Sequence, residues 1–205
     1  MEQTENTKAQ KRNISLYATF YLIIILWAVF GVQQLFHLNF EQFGIIPRTK
    51  QGLIGIIFAP FIHANIEHIA YNTIPLFTLS LILALLKPKG GIWIWWLLSV
   101  TTGLLVWIFA RGNAVHIGAS GVIFALIGFL ITYGIFRRSL GSIITTIVIA
   151  ALYGSFLWGI LPTKSWISWE SHLLGLVNGL FWGIIWGKND RKKALITKLA
   201  EQTNT

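Results

Sequence analysis

The chain has 205 residues with a formal net charge of +9; 55% of the residues are apolar and only 11% are charged. A soluble domain has about a quarter charged residues, so this composition excludes an ordinary soluble domain and indicates a protein that crosses a membrane several times. Cysteine is absent, which excludes disulfides, thiolate metal sites and cysteine nucleophiles.

Six apolar segments are candidates for membrane-spanning helices. They cover residues 14–35, 66–86, 92–109, 121–136, 142–161 and 171–186. No small-residue cleavage site follows the first segment, which we therefore interpret as a retained helix and not as a signal peptide. These segments predict an all-α membrane protein with a polar tail over 1–13, a six-helix bundle over 14–187 and a basic tail over 188–205.

The basic residues are divided unequally between the two sides of such a bundle. Of the 16 lysines and arginines, twelve fall on one side. These twelve are Lys8, Lys11, Arg12, Lys87, Lys89, Arg137, Arg138, Lys188, Arg191, Lys192, Lys193 and Lys198. The other side has Arg48, Lys50, Arg111 and Lys164. The positive-inside rule then predicts cytoplasmic termini in a cell membrane. The charge is interpreted as a topology signal that also favours anionic lipids, and no nucleic-acid binding is expected.

The connection over residues 37–65 is too long for a tight turn and too apolar for a solvated loop. Apolar residues recur through it, and Pro47 and Pro60 interrupt it. We predict that it lies in the membrane interface on the outer side, packed against the bundle. A partial re-entrant span is the alternative.

The fourth and sixth segments are the shortest. Each has about 16 residues, roughly 24 Å of helix, which is less than a hydrocarbon layer of ~30 Å. Their outer ends are therefore expected below the membrane surface, where a hollow open to the outside would hold water. Ser120 and His172 occupy these two ends.

Small residues predict that the fourth and sixth segments pack closely. The sixth segment has glycines at every fourth position on the face that His172 heads, namely Gly175, Gly179, Gly183 and Gly187. The fourth segment offers Gly121, Ala125 and Gly128. Close packing would bring Ser120 and His172 within hydrogen-bonding range, as a nucleophile and its base require. Alternatively, the glycines serve packing alone and Ser120 is a helix N-cap.

His68 and Asn72 lie one turn apart on one face of the second segment. Both side chains are hydrogen-bond donors, suited to the oxyanion of a tetrahedral intermediate together with the Ser120 backbone N–H. The alternative is a polar pair that only stabilises the helix end. His63, five residues earlier, is expected to brace the loop by hydrogen bonding.

Other membrane-protease chemistries lack their residues. An aspartyl protease needs two aspartates, and Asp190 in the basic tail is the only one. An HExxH zinc site is absent, because Ile66 and Ala70 stand where histidines would flank Glu67. A Ser-His-Asp triad is excluded for the same lack of aspartate, and the i−2 spacing of Glu170 does not favour its orienting His172. A Ser-His dyad remains, with no cofactor or metal expected.

Three motifs give the chain a family resemblance. Residues 60–72 (PFIHANIEHIAYN), 118–121 (GASG) and 172–175 (HLLG) resemble the signature regions of the rhomboid intramembrane serine proteases, in the family's order. Residues 44–49 (GIIPRT) resemble the first outer loop of bacterial members. The resemblance covers about residues 14–187.

The resemblance implies a role for each matched residue. Ser120 would be the nucleophile and His172 the general base and then acid, with an oxyanion hole of His68, Asn72 and the Ser120 backbone N–H. Site support would come from Gly118, Gly121, Phe124 and Gly175, with Phe124 stacked on the histidine.

The expected activity is the cleavage of single-span membrane proteins near the outer face of a bacterial plasma membrane. The alternative is a catalytically silent rhomboid-like protein that binds transmembrane clients. Silent relatives usually lack the serine or the histidine, whereas this chain has both. A transporter is a weaker alternative, because the six segments contain neither a repeat nor a charged residue near mid-membrane.

Overall fold

The computed structural model describes residues 2–87, 89–162 and 168–203, with side chains from Ser15 onward. Within these ranges the chain forms seven α-helices and no β-strand. The helices are α1 (Glu2–Leu35), α2 (Gly52–Phe58), α3 (Ile66–Leu86), α4 (Gly91–Phe109), α5 (Ser120–Arg137), α6 (Leu140–Tyr153) and α7 (Trp169–Thr203). Short 3₁₀ helices cover Glu41–Phe43, Ala59–Phe61 and Gly154–Ile160.

Helix α5 lies at the centre of the bundle, in contact with α3, α4, α6 and α7. Its sequence is apolar on every side, and such a helix is expected to be surrounded by protein. Accordingly, 72% of its span is buried, whereas only 11% of the span that begins with α6 is buried. The two helices therefore differ strongly in how firmly packing holds them.

Five of the described helices have the length and apolar composition of a membrane span. They include residues 15–35 of α1, the whole of α3, α4 and α5, and α6 with its 3₁₀ continuation. The prediction of an all-helical, multi-pass membrane protein is thereby confirmed. The sixth predicted segment, 171–186, is helical within α7 but is not among these five. Polar residues such as His172 and Asn178 lower its apolar character.

Several helix ends differ from the predicted ones. Helix extends through both tails, because α1 begins at Glu2 and α7 continues to Thr203. The predicted fifth segment, 142–161, is α-helical only as far as Tyr153 and continues as a 3₁₀ helix. Gly154 begins that 3₁₀ helix, and glycine weakens an α-helix near its end.

Some predicted features lie outside the described residues. The outer loop expected after Leu161 contains residues 163–167, including Lys164, and the inner turn between α3 and α4 contains Pro88.

The glycines of α7 lie directly against the backbone of α5, and a Cβ at any of them would overlap main-chain atoms there. The α5 carbonyls that face Gly175, Gly179, Gly183 and Gly187 belong, in that order, to Gly121, Ala125, Phe129 and Tyr133. The close packing predicted between the fourth and sixth segments is confirmed. Because residue numbers rise together along the two helices, α5 and α7 run parallel and begin at the same end.

The connection over 37–65 is folded against α4, as its apolar residues predict. It contains α2, and a Cβ at Gly103 of α4 would lie 3.0 Å from the Ile56 side chain. The Arg48 guanidinium donates to the carbonyls of Ile108 at 2.9 Å and Ala110 at 2.7 Å, where α4 ends. The Trp107 indole donates to the Thr49 carbonyl at 2.9 Å. The two Arg48 bonds satisfy carbonyls that a helix end leaves unpaired.

Candidate active site

A glycine with a left-handed backbone positions the start of α5. Gly118 has φ of +101°, a conformation that side chains disfavour. Its N–H donates to the Ala59 carbonyl at 2.9 Å, and the Ala119 N–H points to His63 Nε2 at 3.4 Å. Ala119 is the N-cap without a side-chain bond, and Ser120 is the first helical residue. The N-cap alternative for Ser120 is therefore wrong, and its hydroxyl is available to another partner.

That partner is His172 in the first turn of α7. Ser120 Oγ lies 2.9 Å from His172 Nε2, a hydrogen-bonding distance between side chains 52 residues apart. On the other side of the ring, His172 Nδ1 lies 2.8 Å from the Gly159 carbonyl oxygen. The imidazole is thus held at both nitrogens.

Phe124 stacks on the His172 ring, with centroids 4.4 Å apart and planes inclined by 5°. The residue lies one turn after Ser120 on α5, so one helix contributes both the hydroxyl and the aromatic face. Phe156 lies behind Phe124, with ring centroids 6.2 Å apart. The imidazole plane is therefore fixed by ring packing as well as by hydrogen bonds.

Two further glycines allow the helix starts to meet. A Cβ at Gly175 would overlap the Gly121 carbonyl oxygen, and a Cβ at Gly121 would lie 3.3 Å from the Thr102 methyl. Larger residues at either position would separate α5 from its neighbours. The distance between Ser120 and His172 depends on this close approach.

His68 and Asn72 face the same turn that carries the serine. A Cβ at Gly118 would lie 2.6 Å from His68 Nε2 and 3.7 Å from Asn72 Nδ2, so the absent side chain leaves these nitrogens bordering the turn. Asn72 is buried, and its amide donates one hydrogen to the His68 carbonyl at 3.0 Å. The amide has two hydrogens, so one remains for a ligand. Both predicted donors and the Ser120 backbone N–H thus lie around one turn.

His63 braces the loop before the serine, as expected. It is fully buried, its ring lies 4.9 Å from that of His68, and its own carbonyl accepts from the Gln33 amide at 3.2 Å. Burial and the neighbouring His68 charge lower the pKa of His63 to about 3. The ring is therefore neutral at physiological pH and can accept the Ala119 N–H.

His116 links the outer connections. Its backbone forms an antiparallel bridge with Ile45, and its ring bonds to the Ser168 hydroxyl and, at 3.3 Å, to the Arg111 carbonyl. Burial lowers the pKa of His116. Glu170 pairs with Arg111 at 3.5 Å, whereas both ring nitrogens of His172 contact other groups, so Glu170 does not orient that ring, as its spacing predicts.

The Gly159 carbonyl is the group that sequence reasoning missed. A backbone oxygen has no residue type to identify it, and Gly159 lies 13 positions before His172 in the 3₁₀ helix after α6. The glycine itself is the only signal, because a Cβ there would lie 3.1 Å from the Phe124 ring. Among the described residues, no group of three acidic or histidine side chains could hold a metal ion.

The fold and the site define a class: a multi-pass helical membrane protein with a serine and a histidine at the shared end of two close-packed helices. Residues 50–189 match the model of the Rhomboid domain, which is more than half of the chain. The chain therefore belongs to the rhomboid family.

Relatives agree with this assignment. An uncharacterized protein of Mycobacterium tuberculosis is 32% identical over 197 residues, which are 92% of this chain and 82% of the relative. An uncharacterized protein of Mycobacterium leprae is 30% identical over 198 residues, 93% of this chain and 78% of the relative. Rhomboid-like protein 11, chloroplastic, of Arabidopsis thaliana is 26% identical over 123 residues, 60% of this chain and 43% of the relative. No solved structure matches the chain.

Proposed function

We propose that the chain is an intramembrane serine endopeptidase that hydrolyses peptide bonds of single-span membrane proteins. The observation that carries the proposal is the hydrogen bond between Ser120 Oγ and His172 Nε2 at 2.9 Å, with the opposite ring nitrogen bound to a carbonyl. A nucleophile, its base and a group that orients the base are the parts that covalent hydrolysis requires.

The Gly159 carbonyl sets the tautomer of the base. A carbonyl oxygen can only accept, so His172 Nδ1 carries the hydrogen of that bond. In a neutral imidazole Nε2 then has the lone pair and accepts the Ser120 hydroxyl proton. This carbonyl takes the orienting role that an aspartate has in a Ser-His-Asp triad, without the aspartate's charge. Loss of that orienting group costs about 10⁴ in a triad enzyme, so we expect slow turnover.

The reaction proceeds through an acyl-enzyme. Ser120 Oγ attacks the scissile carbonyl carbon while its proton moves to His172 Nε2, and the tetrahedral intermediate expels the amine, which takes that proton. Water then attacks the ester and gives a proton to His172, which returns it to Ser120 as the carboxylic acid leaves. Two peptide fragments result from one peptide bond and one water.

The oxyanion of each intermediate would bind around Gly118. The Ser120 N–H is in the first turn of α5, where backbone N–H groups lack helical partners and the helix dipole is positive. His68 Nε2 and the free amide hydrogen of Asn72 are the side-chain donors beside it. Removing one such donor typically lowers kcat by about 10²–10³.

We further propose six membrane spans, the sixth being residues 171–186 of α7, with both termini in the cytoplasm and the site open to the outside of the cell. The twelve-to-four division of basic residues and the parallel course of α5 and α7 support this arrangement. Substrate would enter from the lipid between α3 and α6, as the family resemblance implies. Small or helix-breaking residues near the cut would assist, because the substrate must leave its helical hydrogen bonds.

The test is cleavage of a single-span model substrate by the purified protein in liposomes. Wild type is expected to cleave, whereas Ser120→Ala and His172→Ala are expected to lose activity. The matched controls are Ser155→Ala and His37→Ala, which change exposed side chains and should cleave like wild type. A fluorophosphonate probe should label Ser120 in wild type and not in His172→Ala.

Equal cleavage by wild type and both site variants would contradict the proposal. A complete lack of cleavage and of fluorophosphonate labelling, together with retained binding of the substrate helix, would instead identify a client-binding rhomboid-like protein.

A further inference from the structure

A second polar cluster surrounds Asp190, which lies on α7 18 residues after His172. Asp190 Oδ2 accepts from the Lys87 ammonium, just after α3 ends, and from the Tyr133 hydroxyl of α5 at 2.9 Å. Arg137 of α5 donates to the Asp190 backbone carbonyl at 2.8 Å. The side chains of Lys87 and Asp190 are each only 18% exposed. One residue of α7 is thus tied to two other helices.

The charge state of Asp190 fits this role. Burial alone would raise the pKa of Asp190, but the hydrogen bond and positive charge of Lys87, with the Tyr133 bond, outweigh burial and lower it. Asp190 is therefore ionised at neutral pH, and charge-assisted bonds of this kind are about twice as strong as neutral ones. It is also the only aspartate in the chain.

The glycine packing of α7 on α5 does not by itself fix how far one helix has slid along the other. The α7 glycines and the α5 carbonyls that they face both repeat every four residues. A shift of α7 by four positions would place Gly179 against Gly121, Gly183 against Ala125 and Gly187 against Phe129. Three of the four close backbone contacts would survive, although α7 would have moved by about 6 Å.

Such a shift would separate His172 from Ser120 by the same distance. His172 and Asp190 are 18 residues apart in one continuous helix, or about 27 Å. A bond that fixes the position of Asp190 along the helix axis therefore also fixes the position of His172 relative to α5. Buried polar residues specify register in the same way where apolar packing permits several registers.

We propose that Asp190, bound by Lys87 and Tyr133, is a positioning residue that holds α7 in the register that places His172 opposite Ser120. Asn178 contributes to the same register in the middle of the helix, since its amide donates to Thr101 at 2.8 Å and Thr102 at 2.9 Å on α4. This inference rests on the proposed protease function, which it deepens.

The test measures register separately from activity. The chain lacks cysteine, so Phe109→Cys at the outer end of α4 and Leu199→Cys on α7 provide the only two sites for spin labels, and both positions are exposed. In wild type the distance between the labels is expected to have one narrow distribution. Asp190→Asn should broaden it and add a component displaced by about 6 Å.

Kinetics of the label-free variants complete the test. Asp190→Asn should lower kcat at least tenfold with KM within twofold of wild type, because the base and not the substrate site has moved. Glu201→Gln removes a carboxylate from an exposed site on the same helix and should change neither kcat nor the label distance. If Asp190→Asn fails to fold, Lys87→Gln replaces it, with exposed Lys89→Gln as its control.

An Asp190 variant with an unchanged label distance would overturn the proposal, even if its activity fell, since that result would indicate a structural contact without a register role. Wild-type protein that cleaves no substrate would instead count against the protease function. The label distances would still report register in that case, so the two failures are distinguishable.

Discussion

His172 lies between two helices that are packed very differently. Its Nε2 faces Ser120 on α5, whose span is 72% buried, while its Nδ1 faces Gly159 in the span that begins with α6 and is 11% buried. The nucleophile is therefore on the most buried of the five candidate spans, and the carbonyl that accepts from His172 is on the least buried one. The contrast suggests that α5 determines whether a site exists, whereas α6 determines how well the base is oriented.

The largest effect is expected from filling the α5–α7 contact. In Gly179→Leu the new side chain would overlap the Ala125 backbone, and overpacking by side chains already costs about 1–3 kcal/mol where atoms can adjust. Backbone cannot move aside as a side chain can, so we expect loss of cleavage and a large fall in thermal stability. Unfolding in detergent micelles and the cleavage assay measure both.

Gly141→Leu is the matched control on α6. A Cβ at Gly141 meets nothing within 4 Å, so the same substitution should leave stability and cleavage nearly unchanged. Similar losses of stability and cleavage in the two variants would mean that α5 and α6 are equally constrained by packing. The proposed difference between the two helices would then be wrong.

The next effect tests the orienting carbonyl. In Gly159→Ala the methyl would lie 3.1 Å from the Phe124 ring and 3.3 Å from His172 Nδ1, close enough to displace the base slightly. The φ of Gly159 is not positive, so alanine causes no backbone strain there. Small misplacements of reacting groups lower rates by roughly 10²-fold, and we expect a fall of that size in kcat. KM and stability should be unchanged.

Gly154→Ala is the control on the same 3₁₀ helix, because a Cβ there meets nothing within 4 Å. Its kcat should equal that of wild type. Equal kcat for Gly159→Ala and wild type would show that a methyl beside the Gly159 carbonyl does not displace the base.

The parts of the site that sequence could predict are those defined by side chains and helical spacing. Ser120, His172 and the glycines of α7 follow from residue type and a four-residue repeat, and the structure brings these residues together. The identity of Gly159 could not be predicted, because its contribution is a carbonyl that every residue has. Its location depends on where α6 gives way to a 3₁₀ helix, which apolar composition does not indicate.

The fold was predictable to a similar degree. Apolar length predicted six helices, of which five have the character of a membrane span and the sixth is helical within α7. It placed the end of the fifth segment at residue 161, beyond the end of α6 at Tyr153. The role of Asp190 was also hidden, since its partners Lys87 and Tyr133 are distant in sequence and only the packed bundle brings them together. In the sequence alone, this single aspartate excludes an aspartyl protease but indicates no contact.

A smaller effect is expected from pH, through the buried histidine that supports the start of α5. The pKa of His63 falls from 6.5 in the unfolded chain to about 3 in the fold because of burial and the neighbouring His68 charge. Below pH 6.5 the unfolded state binds a proton that the folded state does not, so stability is full above pH 6.5 and declines as the pH falls toward 3. His63→Gln, which cannot titrate, should show a shallower decline.

Thermal unfolding between pH 7 and pH 4 measures this effect. Exposed His37→Gln serves as the control and should keep the wild-type slope. Buried His116 also has a lowered pKa and leaves a residual slope in every variant. Identical slopes for wild type and His63→Gln would mean that His63 is not held neutral by the fold.

The smallest effect is expected where α6 meets α3. The Tyr153 hydroxyl bonds to Thr78 across this boundary, and Tyr153→Phe removes the bond while the ring keeps its contact with Phe156 at 5.4 Å between centroids. Hydrogen bonds between membrane helices contribute about 0.6 kcal/mol on average and about 1.7 kcal/mol at most. We therefore expect the free energy of unfolding to fall by an amount near the lower figure. Tyr71→Phe, whose side chain is exposed, is the control in the same unfolding measurement.

Because the 3₁₀ helix that carries Gly159 follows directly after Tyr153, Tyr153→Phe should change kcat more than it changes stability. A loss of several kcal/mol in the free energy of unfolding would mean that α6 is firmly packed. The proposed difference between the helix that carries Ser120 and the one that leads to Gly159 would then be wrong.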